Sequence, residues 1–547
     1  MTSPRSQPRR GLVPFRRLGP DAGAGARRRR RQPAGATIRR GCRRSLATLL
    51  CAAATLAGCP SSEQPARPTT SAAAPDERGL PEAPHTIILI SIDTLRADHL
   101  GLYGYERFTS PNLDAFARDG VVFEDASSTS PWTLPAHASL LTGRTPLRHG
   151  VTTVQTRLSE QVPTLASLLA RAGYRTAAVV NSTWLKPTEF GLTREFDRVR
   201  FVPEDPARHA TNVLVTDQAI EWLSEVGENK LFLFMHYYDI HADYASEPAY
   251  EQLFVGPYDG IADGTSWQLT RANLEDDYLE MCHERFDPEK CTFADTDGHN
   301  IVDRSVARIR FDADDVRHLE ALYDAGIRQF DSELGRFFRF LDDADLTEGS
   351  VVVVTSDHGE EFMEHGRVDH FLTMYQEVIR VPFVLRGPGI PSGLRPAAPV
   401  SIIDVAPTLL TLAGLDVPPD VEGLDLSPLW RDSASTAFEQ RLLYGEASGG
   451  LTYRLVVGEY FPIYESVRQG RYKLLYDSKS GEPELFDLAV DPREQANVAD
   501  AMPEVAARLD SAMRERRASS GDRQPVADPV VLPEEDVERL RALGYVP

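Results

Sequence analysis

Three stretches of this sequence carry carboxylate, imidazole and hydroxyl groups in places where they could act together. Ser91-Ile-Asp93-Thr94 sets a carboxylate after an apolar run, and Thr355-Ser-Asp357-His358-Gly359-Glu360 sets a carboxylate beside an imidazole after another. Pro131-Trp-Thr133-Leu-Pro135-Ala-His137-Ala-Ser-Leu-Leu-Thr-Gly143-Arg144 reads as a loop entering a helix, with Thr133 near its start. A hydroxyl placed there meets any anion that the helix N–H groups attract. Each motif alone is weak, since Asp-His after a strand is often only a cap. A free hydroxyl is also a poor nucleophile near neutral pH. Together the three segments hold what metal-activated hydroxyl attack on an ester requires.

These groups need rigid elements to bring them together. Thr86-Ile-Ile-Leu-Ile-Ser-Ile92 is a continuous apolar run, as expected of a strand buried on both faces of a parallel sheet. Similar runs recur at Thr176–Val180, Leu231–Met235 and Val351–Thr355, with helical patterns between them such as Thr164–Arg171 and Val316–Leu341. Strands alternating with helices predict an α/β fold: a large, mostly parallel sheet flanked by helices. Ligands of such sheets sit beyond the carboxyl ends of the strands, and Asp93, Asp239, His241, Asp357 and His358 all follow strand runs directly. Tyr323, Phe330, Leu334, Phe337 and Phe338 fall at helical spacing and read as core. Arg96, Asp98, Asp331 and Asp404 read as structural pairing or capping groups. The catalytic domain is expected over 85–440, with a surface insertion at about 245–312. A C-terminal subdomain should follow at 441–520, its strands at Ser466–Tyr476 and Glu484–Leu488 forming a small antiparallel sheet beside a helix at Glu504–Arg517. A tail at 521–547 completes the chain.

The first 58 residues differ from the rest. Residues 1–44 carry fourteen arginines and one acid, and a short apolar run from Ser45 ends in Leu56-Ala-Gly-Cys59. A basic region, a short apolar stretch and a small-residue site describe a secretory signal. Leu-Ala-Gly-Cys resembles the bacterial lipobox, which makes Cys59 the expected site of lipid attachment. Residues 59–84, rich in Pro, Ser, Thr and Ala, read as a flexible tether. The expected location is therefore a bacterial cell envelope, on its periplasmic or outer-surface side, with the membrane engaged through lipid. Removing residues 1–58 shifts the formal charge from −22 to about −35. Such a surface repels nucleic acid, so the basic N-terminus implies no nucleic-acid partner, and an anionic substrate must be drawn in by a local positive site. Beyond Cys59 only Cys282 and Cys291 remain, and a leftover pair in an exported chain reads as one disulfide.

Leu89-Ile-Ser-Ile-Asp93-Thr-Leu-Arg96-Ala-Asp98, the Thr133 segment, Asp357-His358-Gly359 and Val381-Pro382-Phe-Val-Leu-Arg-Gly387-Pro388-Gly389 together resemble the sulfatase family of the alkaline phosphatase superfamily. Glu364-His-Gly366, Glu484-Leu-Phe-Asp-Leu488, Asp491-Pro-Arg-Glu494 and Asn497 extend the match, which spans roughly residues 85 to 500 in family order. The resemblance implies one large α/β domain with a small C-terminal subdomain, and a metal-dependent hydrolase of phosphate or sulfate esters. It places Asp93, Asp357 and His358 on metal-ligand positions, with Thr133 as nucleophile and ligand. It also places His241 at a substrate-binding histidine and His370 near the lysine that binds the ester's anionic oxygens. His137 stands where the family has arginine and is a further catalytic candidate. Asp239, His241 and His370 could hold a second ion.

The departures from the family decide the expected substrate. Sulfatases carry Cys or Ser at the nucleophile position, converted to formylglycine. Threonine treated by the same route gives a ketone, not an aldehyde. Thr94 replaces a second metal-binding Asp, and His358 stands where many sulfatases have Asn. The segment from Thr133 to Gly143 is similar to the nucleophile segment of nucleotide pyrophosphatase/phosphodiesterases. Lipoteichoic acid synthases and phosphoethanolamine transferases likewise use Thr beside an Asp-His pair. Exchanging an oxygen ligand for imidazole favours zinc or manganese over calcium. Hydrolysis of phosphoric mono- or diesters through Thr133 is therefore preferred, on a small-molecule, glycan or lipid-linked substrate. The alternatives are a sulfuric ester hydrolase in the narrow sense and an inactive sulfatase-like binding lipoprotein. Retention of Asp93, Asp357, His358, His241 and His370 together argues against the inactive reading.

Overall fold

The computed structural model describes residues 83–204, 211–273, 293–294, 300–301, 309–431, 436–448, 463–477, 480–520, 527–530 and 532–542. The signal segment, Cys59, nearly all of the tether, and the Cys282–Cys291 pair lie outside the described residues.

The central sheet is built from β1 (Thr86–Ile92), β2 (Val121–Val122), β3 (Arg175–Val180), β4 (Arg198–Phe201), β5 (Leu231–Tyr237), β6 (Ser350–Ser356) and β7 (Phe383–Arg386). Their order across the sheet is β2-β7-β6-β1-β5-β3-β4. β4, β3, β5, β1 and β6 run parallel, β7 pairs antiparallel with β6, and β2 pairs antiparallel with β7 at the edge. Every residue of β1 is buried, as its unbroken apolar run required. Side chains alternate between two helical layers. Ile87, Leu89, Phe232, Phe234, Val351 and Val353 face α1 (Thr133–Thr142), α2 (Leu165–Arg171) and the helix Val405–Leu412. Ile88, Ile90, Leu233, Met235, Val352 and Val354 face α3 (Thr211–Glu225) and α4 (Ala313–Asp343). In α4, Leu319, Tyr323, Ile327, Phe330, Leu334, Phe337 and Leu341 recur at three- and four-residue intervals and are all buried. Asp312 starts that helix in a capping box with Asp315.

The sheet register positions the chemistry. Ile92 at the end of β1 pairs with Ser356 of β6 and Tyr237 of β5. The next residues, Asp93 and Asp357, therefore leave neighbouring strands at the same level.

The small antiparallel sheet runs β8 (Leu442–Ser448), β9 (Ile463–Gln469), β10 (Tyr472–Asp477) and β11 (Pro483–Asp487). The single strand expected over Ser466–Tyr476 is thus a hairpin. Gly470, at φ 55°, turns the chain back so that Gln469 pairs with Tyr472. One face of this sheet packs Val467, Leu474 and Leu485 against Leu509 and Met513 of the helix Pro503–Ser520. The other face packs Leu475 and Phe486 against Met374 and Val378 of the large domain. Lys473 and Glu494, both buried, pair at 2.7 Å beside that junction, and Lys473 Nζ donates across it to Met374 O at 2.6 Å.

Two boundary expectations are corrected. The first part of the insertion is not a surface excursion, because Leu269 is fully buried. Asn273 also exchanges hydrogen bonds with the backbone of Val368, two residues from His370. Its apolar positions are too sparse to show a period, yet they land in the core. The residues assigned to a tail include Ala527–Pro529, paired with Thr156–Leu158, and the helix Glu534–Ala542, whose fully buried Asp536 meets Lys186.

Candidate active site

Asp93, Thr133, Asp357 and His358 are fully buried and face one another, although their segments lie as far apart as residues 93 and 358. Asp93 extends β1 by one more ladder bond, its N–H donating to Tyr237 O at 2.8 Å. Thr94 then takes φ 54°, an unusual conformation for a β-branched residue. Tyr323 Oη donates to Thr94 O (2.7 Å) and accepts from Arg96 N (2.9 Å), which pins the turn. Thr133 opens α1 after an extended Trp132. Pro135 has no N–H and that of Ala136 donates to Trp132 O, so the N–H groups of Thr133 and Leu134 are left at the helix start.

The separations are those of a ligand set. Thr133 Oγ1 stands 3.5 Å from Asp93 Oδ2 and 3.5 Å from His358 Nε2. His358 Nε2 is 3.6 Å from Asp93 Oδ1 and 3.3 Å from Asp357 Oδ2. These distances are long for hydrogen bonds, but donors about 2.0–2.2 Å from one tetrahedral ion stand about 3.3–3.6 Å apart. Asp93 Oδ1 and Asp357 Oδ2 are buried with no hydrogen-bond partner, whereas Asp357 Oδ1 accepts from His358 N (2.9 Å) and Thr94 N (3.3 Å). His358 Nδ1 donates to Gly359 O at 3.0 Å, which leaves the Nε2 lone pair facing the carboxylates. Burial raises the pKa of Asp93. It raises Asp357 well above the usual range, with the neighbouring Asp93 charge adding to it. Burial drives the imidazolium form of His358 well down. Two stripped carboxylates beside a neutral imidazole form a site that a divalent cation fits.

His370 and His241 border this group, the ring of His370 lying 4.5 Å from that of His358 and 4.9 Å from that of His241. Burial opposes charge on His370, but Glu360 (3.2 Å) and Asp369 (2.9 Å) at Nδ1 outweigh it, and its pKa rises well above the ordinary value. The two carboxylates thus favour the charged form of His370. Asp369 and Phe371 on either side take φ of 70° and 91°, so the turn holding His370 is strained. His241 donates from Nδ1 to Ala242 O at 2.5 Å, and burial lowers its pKa to about 4.

His137 sits one helical turn beyond Thr133. Its Nδ1 donates to Thr133 O (2.9 Å), since a carbonyl only accepts, and Nε2 receives the Ser91 hydroxyl (2.9 Å). Both nitrogens are thus engaged, and the ring is held against the helix start, with Nδ1 also 3.5 Å from Asp357 Oδ2. Asp239, His241 and His370 are not among the groups of described residues whose ligand atoms converge within 4.8 Å. The Asp239 carboxylate accepts from Asn212 N (2.9 Å) and Thr211 Oγ1 at the start of α3. Arg96, Asp98, Asp331 and Asp404 are structural: Arg96 joins Asp98 and Glu364, Asp331 takes the N–H groups of Asn112 and Leu113, and Asp404 pairs with Arg441. Sequence reasoning missed Glu360, Asp369, Asn181 and His236. His236 had one signal, because it continues the alternation of Phe232 and Phe234 to the end of β5.

Residues 85–415 match the family described as Sulfatase, three-fifths of the chain. The chain belongs to the sulfatase family. Its residues 363–519 also match the C-terminal family described as N-sulphoglucosamine sulphohydrolase, C-terminal. Arylsulfatase K of Mus musculus is 25% identical over 467 residues, 79% of each chain. Delta 4,5-hexuronate-2-O-sulfatase of Bacteroides thetaiotaomicron is 25% identical over 438 residues, covering 75% of this chain and 84% of that protein. Among solved structures, the phosphonate monoester hydrolase of Agrobacterium radiobacter shares the fold with a TM-score of 0.60 at 22% identity, covering 80% of this chain and 96% of that one. This sulfatase-family chain is accordingly a hydrolase acting on ester bonds.

Proposed function

We propose that this sulfatase-family hydrolase cleaves phosphoric mono- or diesters, with Thr133 as nucleophile, on a zinc or manganese ion held by Asp93, Asp357 and His358. The observation that carries the reading is the Thr133 hydroxyl, fully buried and 3.5 Å from both Asp93 Oδ2 and His358 Nε2. A divalent cation bound by these residues would lower the hydroxyl's pKa and offset phosphoryl charge. Thr133 Oγ1 attacks phosphorus, the P–O bond to the leaving alcohol breaks, and water then cleaves the phosphothreonine to release phosphate or a monoester and restore Thr133. The Thr133 and Leu134 N–H groups and the cation on His370 face charge on the phosphoryl oxygens, with His241 beside them. Anionic esters on a small molecule, glycan or lipid are the substrate class.

Sulfate esters are the second reading, favoured by the names of the relatives, among them N-acetylglucosamine-6-O-sulfatase of Bacteroides thetaiotaomicron. The purified full chain loaded with zinc or manganese separates the two. Aryl phosphate mono- and diesters should show kcat/KM at least about 100-fold above the matching aryl sulfate, some 2.7 kcal/mol of transition-state binding. A preference for the sulfate would sink the phosphoester reading.

We also propose that Cys59 carries lipid and holds the enzyme on a bacterial envelope membrane, on the strength of Leu56-Ala-Gly-Cys59 after the apolar run. Cys59→Ser should move the protein out of the membrane fraction or stall its processing. Unchanged membrane retention of that variant would refute the anchor.

A further inference from the structure

We infer that His236 is a further ion ligand of this site, its Nε2 serving as a second imidazole donor beside Asp93. The inference rests on the metal reading above and adds a residue from a different strand. His236 is fully buried near the end of β5, on the face of the sheet covered by α1. Its Nδ1 is 3.2 Å from Asn181 Oδ1, an atom that only accepts, so the ring proton is on Nδ1. Asn181 is oriented in turn by Nδ2 donating to Thr211 Oγ1 at 3.1 Å.

Nε2 of His236 then presents a lone pair, has no hydrogen-bond partner, and lies 3.3 Å from Asp93 Oδ2. Two electron pairs facing each other in a water-free interior repel unless positive charge lies near both. The wiring repeats that of His358, where Nδ1 is fixed by an outer acceptor and Nε2 faces a carboxylate at 3.3 Å. Asp93 thus shows Oδ1 to His358 and Oδ2 to His236. The neighbouring His137 does not compete, since both of its nitrogens are bonded; its ring stands 4.9 Å from that of His236 at 71° and limits rotation. Beside its contact with Asp93, the ring of His236 also offers a ligand atom within 4.8 Å of those of Asp357 and His137. Imidazole added to carboxylate and hydroxyl donors is a mixed nitrogen and oxygen chemistry, which selects zinc over calcium or magnesium.

X-ray absorption on the zinc-loaded full chain counts imidazole donors directly. Wild type should show two and His236→Gln one. In chelator competition, His236→Gln should bind zinc about 10- to 100-fold more weakly, with calcium binding changed by less than about threefold. Asn181→Leu leaves the ring in place but removes its outer acceptor, and should weaken zinc binding about 10-fold, which keeps the test alive if His236→Gln fails to fold. One imidazole in wild type, or zinc affinity unchanged in both variants, would overturn the role of His236 while leaving the metal reading intact. A wild-type chain that binds neither zinc nor manganese would overturn both.

Discussion

Thr133→Ala should lower kcat for phosphoester hydrolysis by about 10³- to 10⁴-fold, a loss of roughly 4–5.5 kcal/mol in transition-state stabilisation. The hydroxyl stands 3.5 Å from both Asp93 Oδ2 and His358 Nε2, where a bound cation would activate it, and alanine leaves nothing at that position to attack phosphorus. Alanine suits a helix start flanked by Leu134 and Ala136, and the change removes only a hydroxyl and a methyl group from the interior. The unfolding temperature should therefore stay within a few degrees of wild type, with zinc content retained through the other donors. Thr133→Ser keeps the oxygen and should retain activity within about 10-fold, since only one methyl group of packing is lost. Near-full activity of Thr133→Ala would exclude this residue as nucleophile. Activity on sulfate esters that arose only in Thr133→Cys coexpressed with a formylglycine-forming enzyme would replace the phosphoester reading with the sulfate one.

Asp357→Asn should reverse sign in its effect on stability according to whether metal is present. Its Oδ1 accepts two backbone N–H bonds, at 2.9 and 3.3 Å, and an amide oxygen can keep both. The change falls on Oδ2, which lacks a hydrogen-bond partner and is 3.3 Å from His358 Nε2. Without a cation, Asp93 and Asp357 are two buried acids whose pKa values are raised by desolvation. A raised folded pKa means the folded state holds protons that the unfolded chain has released. The penalty is absent below the unfolded value of 3.8 and grows as pH rises towards the folded values. In chelator at pH 7.5, Asp357→Asn should therefore be more stable than wild type by about 1–3 kcal/mol, because the amide needs no proton taken up on folding and no charge buried beside Asp93. With saturating zinc the order should invert. Wild type gains about 2.7 kcal/mol at 100 times its Kd, while the variant, lacking an anionic donor, gains little. Its zinc affinity should fall by about 10³-fold or more and turnover should fall with it. Thermal unfolding with and without zinc reads both halves. Curves that do not cross would mean that Asp357 is not an ion ligand.

How much of this was legible in the chain follows from how far each signal reaches. The strand runs at Thr86–Ile92 and Val351–Thr355 and the period of Val316–Leu341 record local burial, and burial on both faces leaves no polar alternation to misread. Carboxylates directly after such strands, together with the Thr133 segment, pointed to the site because strand ends of a parallel sheet share one rim. The hairpin at Gly470 was hidden because Ser466–Tyr476 is uniformly strand-like, and one left-handed residue breaks it. Glu534–Ala542 looked like a tail because its fixing contact, Asp536 with Lys186, spans 350 residues.

The sequence by itself determined the α/β class and the family and singled out Thr133, Asp93, Asp357, His358, His241 and His370 as candidates, since these depend on residue type and short-range order. Tertiary structure decided how they are placed. Register between β1 and β6 set Asp93 beside Asp357, and the start of α1 brought Thr133 within 3.5 Å of both Asp93 and His358. Two hydrogen bonds fix the ring of His137 against the helix start, the start of α3 engages the Asp239 carboxylate, and β5 brings an unexpected His236 to Asp93. A ring nitrogen's role depends on which acceptor holds the ring's other nitrogen, and those acceptors, Thr133 O, Gly359 O and Asn181 Oδ1, are fixed only when distant strands and helices pack.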